Sequence, residues 1–287
     1  MTLFLQLLAN GITVGGLLAL VALGVALIFG VMRVVNFAHG EFVTLGAFTT
    51  FLLVTQLGLS PLLGIPVAFV LGGLVGALIQ AVVLSRTAGR PELDVLMVTY
   101  SLSIIGLGLF SSAFGGDFRS FSEGPSGTVS LGGVVLGWLS LTVLAVCAIL
   151  GGGTFMLVQR ARFGLALRAL AQNRDAAAAS GINVRRSELL AFALAVGLAS
   201  AAGSLVSLIA TVTPGVGHEW VLDAFVVVVL GGMGSISGAV AAALIIGLLH
   251  SIGSFYLDDT WARIIVYGLL YATLLVRPQG LLGRAGA

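Results

Sequence analysis

From Leu3 to Phe29 the chain carries no charged residue, and Gln6, Asn10 and Thr13 are the only polar side chains there. Wound as a helix rising 1.5 Å per residue, this run exceeds the roughly 20 residues that cross about 30 Å of hydrocarbon. Comparable runs recur at Phe42–Leu57, Leu62–Leu84, Val95–Phe114, Trp138–Val158, Leu189–Val212, Ile236–Leu257 and Ile264–Val276. Hydrocarbon offers backbone amides no partner, so each run must satisfy its own as a helix. One further run, Leu222–Leu230, is too short to cross and ends at Gly231-Gly232-Met233-Gly234-Ser235. The expected fold is all-α. It is a polytopic transmembrane helix bundle forming a single domain over 1–287, with about eight spans and a broken or re-entrant segment near Gly231–Ser235. A charged fraction of 8% fits, since a soluble domain carries about 25%.

Lipid is as apolar as leucine, so the spans must associate by close packing. The 41 glycines, and a stretch such as Ala191–Ser207 dominated by Ala, Gly and Ser, suit that need. Orientation follows from arginine. Six of the 13 lie between Arg160 and Arg186, and Arg86 and Arg90 fall two spans earlier. Basic loops stay in the cytoplasm, so the 159–186 segment is expected inside, with Arg277 and Arg284, and the Asp117–Glu123 loop outside. The side of the N-terminus depends on how the broken element and the Asn36–Glu41 patch are counted.

Lysine is absent, which excludes a Walker-type phosphate loop and a Schiff-base lysine. A net charge of +2 gives no basis for nucleic-acid binding. Cys147 lies in an apolar run and reads as a small packing residue. No His, Cys or acid cluster has metal-ligand spacing, and no cleavable signal peptide is evident.

Three polar groups stand out. The 159–186 segment begins Ala-rich and helix-favouring; Asn173 and Asp175 suit the start of a second short helix, and Gly181 its end. It reads either as a solvated loop or as a docking element. Asn36, His39 and Glu41 either sit cheaply at an interface or, if buried, line or gate a path. An ionised side chain at mid-bilayer costs about 2.5–3.5 kcal/mol on insertion scales. Thr99, Tyr100 and Ser101 offer hydroxyls to a path or to neighbouring helices, and Gly231, Gly232 and Gly234 break an apolar run. His250 reads as a packing residue, and Glu219 and Asp223 as external.

The sequence resembles the LivH family of ABC-importer permeases, which act in branched-chain amino acid uptake. The resemblance rests on Asn36-Phe37-Ala38-His39-Gly40-Glu41, on Gly164 to Asn183, on Ala224 to Ser235, and on Arg277-Pro278-Gln279-Gly280-Leu281, in family order. It implies a multi-pass permease of the bacterial cytoplasmic membrane, with no catalytic site and no cofactor of its own. It implies a second permease subunit, identical or not, two cytoplasmic ATPases that use ATP and Mg, and an extracytoplasmic binding protein. By matching position, Gly164, Arg168, Asn173, Asp175 and Gly181 would couple to the ATPase. The missing lysine independently requires that any ATP-driven motor of this kind be another chain.

Competing readings are a permease for urea or short amides, a channel, and a secondary transporter. A channel built on Asn36-Phe37-Ala38 would need a second copy in the other half, and none is seen in the sequence. Ser235 or Ser237 with His250 loosely suggests an intramembrane serine protease, without the Gly-x-Ser-Gly order.

Overall fold

The computed structural model describes residues 2–87, 89–277 and 279–281. Arg284 and Pro278 therefore lie outside the described residues. The chain runs α1 (Thr2–Met32), α2 (His39–Leu57), α3 (Pro61–Val82), α4 (Glu92–Phe114), β1 (Thr128–Leu131), β2 (Val134–Gly137), α5 (Trp138–Arg160), α6 (Arg162–Gln172), α7 (Arg174–Ala179), α8 (Val184–Ile209), α9 (Val216–Gly231), α10 (Ile236–Tyr256) and α11 (Asp259–Val276). Eight of the described helices are long and apolar enough to cross a membrane; α6, α7 and α9 are not among them. Local chemistry sets the ends. Pro61 starts α3, where its missing N–H is not needed, and Asp258 caps α11 by accepting from the Trp261 amide at 3.0 Å.

The α4–α5 connection was expected as a polar loop only. It holds an antiparallel hairpin whose ends pair Leu131 with Val134. Gly132 and Gly133, at φ 58° and 86°, supply the two left-handed residues that a tight hairpin turn requires. Gln6 clamps the hairpin to the start of α1, donating to the Val135 carbonyl and accepting from its amide.

Two helices form the centre. α1 packs along α10 and α8, and α8 packs along α3 and α2. These contacts bring backbone against backbone. A Cβ on Gly203 would overlap the Val43 carbonyl, and one on Gly46 the Ser200 carbonyl. On the other side Gly11 and Gly15 admit the α10 backbone at Leu248, Gly247 and Ala243. Buried hydroxyls bridge the same seams: Ser200 donates to the Phe42 carbonyl at 2.8 Å, and Thr50 to Ser204 at 2.6 Å.

The pairing scheme of α1–α4 repeats in α8–α11. α3 lies on α8 as α10 lies on α1, α2 meets α3 as α9 meets α10, and α2 meets α4 as α9 meets α11. The ends of the helices sort into two faces. On one face α6 reaches the end of α1 through Arg33 and Ala171, Gly30 lies beside Gly234, and Leu281 donates to the Leu230 carbonyl. This Arg-rich face holds the ends of α1, α9 and α11. The hairpin and the start of α1 lie on the opposite face, which places the N-terminal end there. The two sets of four helices thus run in opposite directions, the inverted arrangement common in transporters.

Gly203→Val should yield no monodisperse protein in detergent, a loss beyond about 3 kcal/mol. Gly108→Ala, whose Cβ meets nothing within 4 Å, should leave the thermal transition unchanged.

Candidate functional site

The chain leaves α1 through Arg33, whose φ of 53° is left-handed and unusual for a residue with a side chain. It then turns back into the bundle. The Asn36 side chain accepts from the Ala38 amide at 3.1 Å, and α2 begins at His39. His39 lies fully buried against Gly24, eight residues before the end of α1. That is about 12 Å along the helix, so α2 starts at membrane depth. There Gly40 crosses Gly217 backbone to backbone, at the first turn of the short helix α9.

Asn36, His39 and Glu41 are therefore buried rather than spread at an interface, at 4%, 0% and 9% exposure. Ser103 of α4 donates to one Glu41 oxygen at 3.0 Å, and Gly106 makes room for the Glu41 side chain. Nδ2 of Asn36, both ring nitrogens of His39 and the second Glu41 oxygen are buried with no hydrogen-bond partner among the described residues. Unsatisfied buried polar groups are costly and point to a role beyond stability.

On the Arg-rich face α6 and α7 form the expected pair of short helices. Asn173 accepts from the Ala176 amide at 2.9 Å as the cap of α7. Gly181, at φ 84°, closes α7, with Ile182 donating to the Ala177 carbonyl and Gly181 to Ala178. Gly164 and Arg168 turn inward instead. Gly164 rests on the Val158 and Leu157 carbonyls, and the Arg168 guanidinium donates to Val158 at the end of α5. These two residues seat α6 on the bundle. Asp175 is exposed, as is Leu165 at 61%, an apolar side chain that sequence reasoning missed. Its signal was its place in an amphipathic helix, opposite the buried Leu167 and Leu170. Two further contacts were invisible in the sequence. Arg33 reaches the Ala171 carbonyl at 3.4 Å, and Arg174 pairs with Glu188 of α8 at 3.0 Å.

Other expected residues separate. Thr99 is buried and donates to Leu96, Ser101 donates to Met97 within α4, and Tyr100 is exposed and meets Phe37 edge-on. Consecutive residues on a helix face different directions, so these hydroxyls do not converge. Gly231, Gly232 and Gly234 form a tight turn at the Arg-rich face, packed on Gly238, Gly280 and Gly30 respectively. The break at membrane depth lies instead at the starts of α2 and α9. His250 is no packing residue: it pairs with Asp259 at 3.0 Å, and Glu219 and Asp223 contact Arg263 and Tyr267 nearby. Ser235 caps α10, and His250 sits about 22 Å further along that helix, which removes the protease reading.

The family described as "branched-chain amino acid transport system / permease component" matches residues 7–274. The chain belongs to that family. The permease is 30% identical to the high-affinity branched-chain amino acid transport system permease protein BraD of Pseudomonas aeruginosa, over 98% of this chain and 96% of the relative. It is 31% identical to LivH of Escherichia coli over the same shares. A probable branched-chain amino acid transport permease protein LivH of Methanocaldococcus jannaschii is 28% identical over 97% and 92%. No solved structure gives a significant match.

In the permease only Val95, Thr99 and Ser103 of α4 are buried within the chain. The Ser103–Glu41 hydrogen bond is thus a main tether of α4. Glu41→Ala should lower the thermal stability of the purified permease by about 1 kcal/mol. Glu41→Gln, which keeps an acceptor for the Ser103 hydroxyl, should preserve it.

Proposed function

We propose that the permease is a membrane-spanning subunit of an ABC importer that moves branched-chain amino acids, or closely related ones, into the cell. It carries no ATPase site of its own. Two cytoplasmic ATPases power it, using ATP and Mg; a second permease subunit completes the path, and an extracytoplasmic binding protein delivers substrate. Its Arg-rich face is cytoplasmic, by the positive-inside bias, and the membrane is the cytoplasmic one.

The observation that supports this reading most is the α6–α7 pair. It presents exposed Leu165 and Asp175 on a base seated by Gly164 and Arg168. Such a base transmits displacement rather than absorbing it. Arg33–Ala171 and Arg174–Glu188 tie the pair to α1 and α8, the central helices. ATPase closure would thereby shift α1 and α8, and with them the buried start of α2, where Asn36, His39 and Glu41 gate or line the route. Motion of this kind would amount to alternating access.

The test uses the full complex in proteoliposomes. Asp175→Arg and Gly181→Val should cut stimulation of ATPase activity by loaded binding protein at least tenfold, and uptake with it. Stimulation unchanged by either substitution would sink the coupling assignment.

A further inference from the structure

Charge at membrane depth marks a surface that hydrocarbon does not cover, because an ionised side chain is expensive there. On α11 such a surface forms a stripe. Asp259, Arg263, Tyr267 and Tyr271 recur at every fourth residue, so each is the neighbour of the next along the helix surface. Tyr267 stands eight residues along this 18-residue helix, which puts it at mid-span whatever the tilt.

Two other helices add to the stripe. Glu219 of α9 meets Arg263 at 3.5 Å, and Asp223 of α9 accepts from the Tyr267 hydroxyl at 3.2 Å. His250 of α10 meets Asp259 at 3.0 Å, and Arg263 donates to the same carboxylate at 3.2 Å. Asp223 is eight residues before the end of α9, about 12 Å along that helix from the Arg-rich face. The sequence suggested an external position for it; the fold puts it at membrane depth. The network therefore runs from mid-membrane to the face opposite the Arg-rich one.

These groups are not turned into the bundle. The side chains of Glu219 and Asp259 are 68% and 59% exposed, and Tyr267 and Tyr271 are exposed as well. Three carboxyl groups share one guanidinium, so the patch has acid to spare. α4, which holds the equivalent place in the other half, presents a different surface. Past Asp94 it carries no charge, and its exposed residues include Met97, Ile104, Ile105 and Leu109. Hydrocarbon suits the α4 surface and does not suit the α11 stripe.

We infer that the face shared by α9 and α11 is a water-filled wall of the solute route, lined from mid-membrane outward by Asp223, Tyr267, Arg263 and Glu219. The role in the route deepens the transport reading above and rests on it; the wetness of the face rests on its charges alone. Water fits this face better than dry contact with another subunit, since the exposed carboxylates would lose their hydration with only one guanidinium between them. Surplus acid also gives the wall a sign. A cationic group gathers along it and an anionic one is held off, so solutes are screened by charge on the way to the buried Asn36–Glu41 region.

The test is thiol labelling of the complete transporter in nanodiscs, where both faces meet solution, with uptake followed in proteoliposomes. The permease carries Cys147→Ala, which removes its one native cysteine, together with Tyr267→Cys. The probes are a cationic trimethylammonium-ethyl and an anionic sulfonato-ethyl methanethiosulfonate, each rate scaled to that with free cysteine. Both should label, the cation at least threefold faster on that scale, and either label should cut uptake at least tenfold. Glu219→Gln with Asp259→Asn should erase the preference. Leu109→Cys on α4 should label at least a hundredfold more slowly. If Tyr267→Cys is not monodisperse, Tyr271→Cys reads the same stripe. Reaction with neither probe means a face sealed by lipid or by dry protein, and overturns the proposal. Equal scaled rates, or a preference that survives both neutralising substitutions, overturn the acidic wall. Labelling that leaves uptake unchanged removes the face from the route. An unreactive cysteine with amino acid uptake intact refutes the wall and leaves the transport reading standing. A reactive, cation-preferring wall in a transporter that takes up no amino acid does the reverse.

Discussion

Backbone-to-backbone contact between α8 and its neighbours is the constraint on which everything else rests. A helix bundle in lipid gains nothing from burying leucine against leucine, so its stability comes from proximity and from internal hydrogen bonds. Gly203 on Val43, Gly46 on Ser200 and Gly72 on the Ser200 side chain draw three helices to a distance no side chain would allow. Once α2 is pinned there, its first turn is held at membrane depth. Asn36, His39 and Glu41 are buried by that placement, not by any affinity of their own for an apolar interior. Polar groups are carried inward because glycines elsewhere permit it.

The spans were legible because hydrocarbon thickness imposes a length and apolarity that few other structures share. The α6–α7 pair was legible because capping is local: Asn173 and Gly181 act within a turn of where they stand. Three-dimensional placement was not local. Whether Asn36–Glu41 lay at an interface or inside depended on α8 and α9, more than 140 residues away. Gly231, Gly232 and Gly234 read as the break of a re-entrant segment, and Gly30 and Gly280 hold that break at a face. A glycine run signals a turn and says nothing of its depth. The short run Leu222–Leu230 was legible as part of a broken element, but its correspondence to α2 was not, since α9 repeats the position of α2 without repeating its sequence closely. The hairpin had its signal, Gly132-Gly133 between Val129-Ser130-Leu131 and Val134-Val135-Leu136, and a polar-loop reading passed over it.

The five coupling residues expected from resemblance divide by task once their contacts are known. Gly164 and Arg168 fasten α6 beneath, Asn173 and Gly181 shape α7, and Asp175 is exposed, as is Leu165 on the neighbouring helix. A sequence block that belongs to a family need not touch the family's partner at each position. Part of it builds the platform, and part is what the platform displays.

The helix pairing that relates α1–α4 to α8–α11 leaves α5, α6 and α7 outside the repeat. Arg33, just past the end of α1, and Glu188 of α8 tie the α6–α7 pair to the first helix of each half. The internal doubling of the bundle is thus not a doubling of its handle. On the reading proposed above, stoichiometry follows: one chain engages one motor, and a pair of motors must be met by a pair of chains.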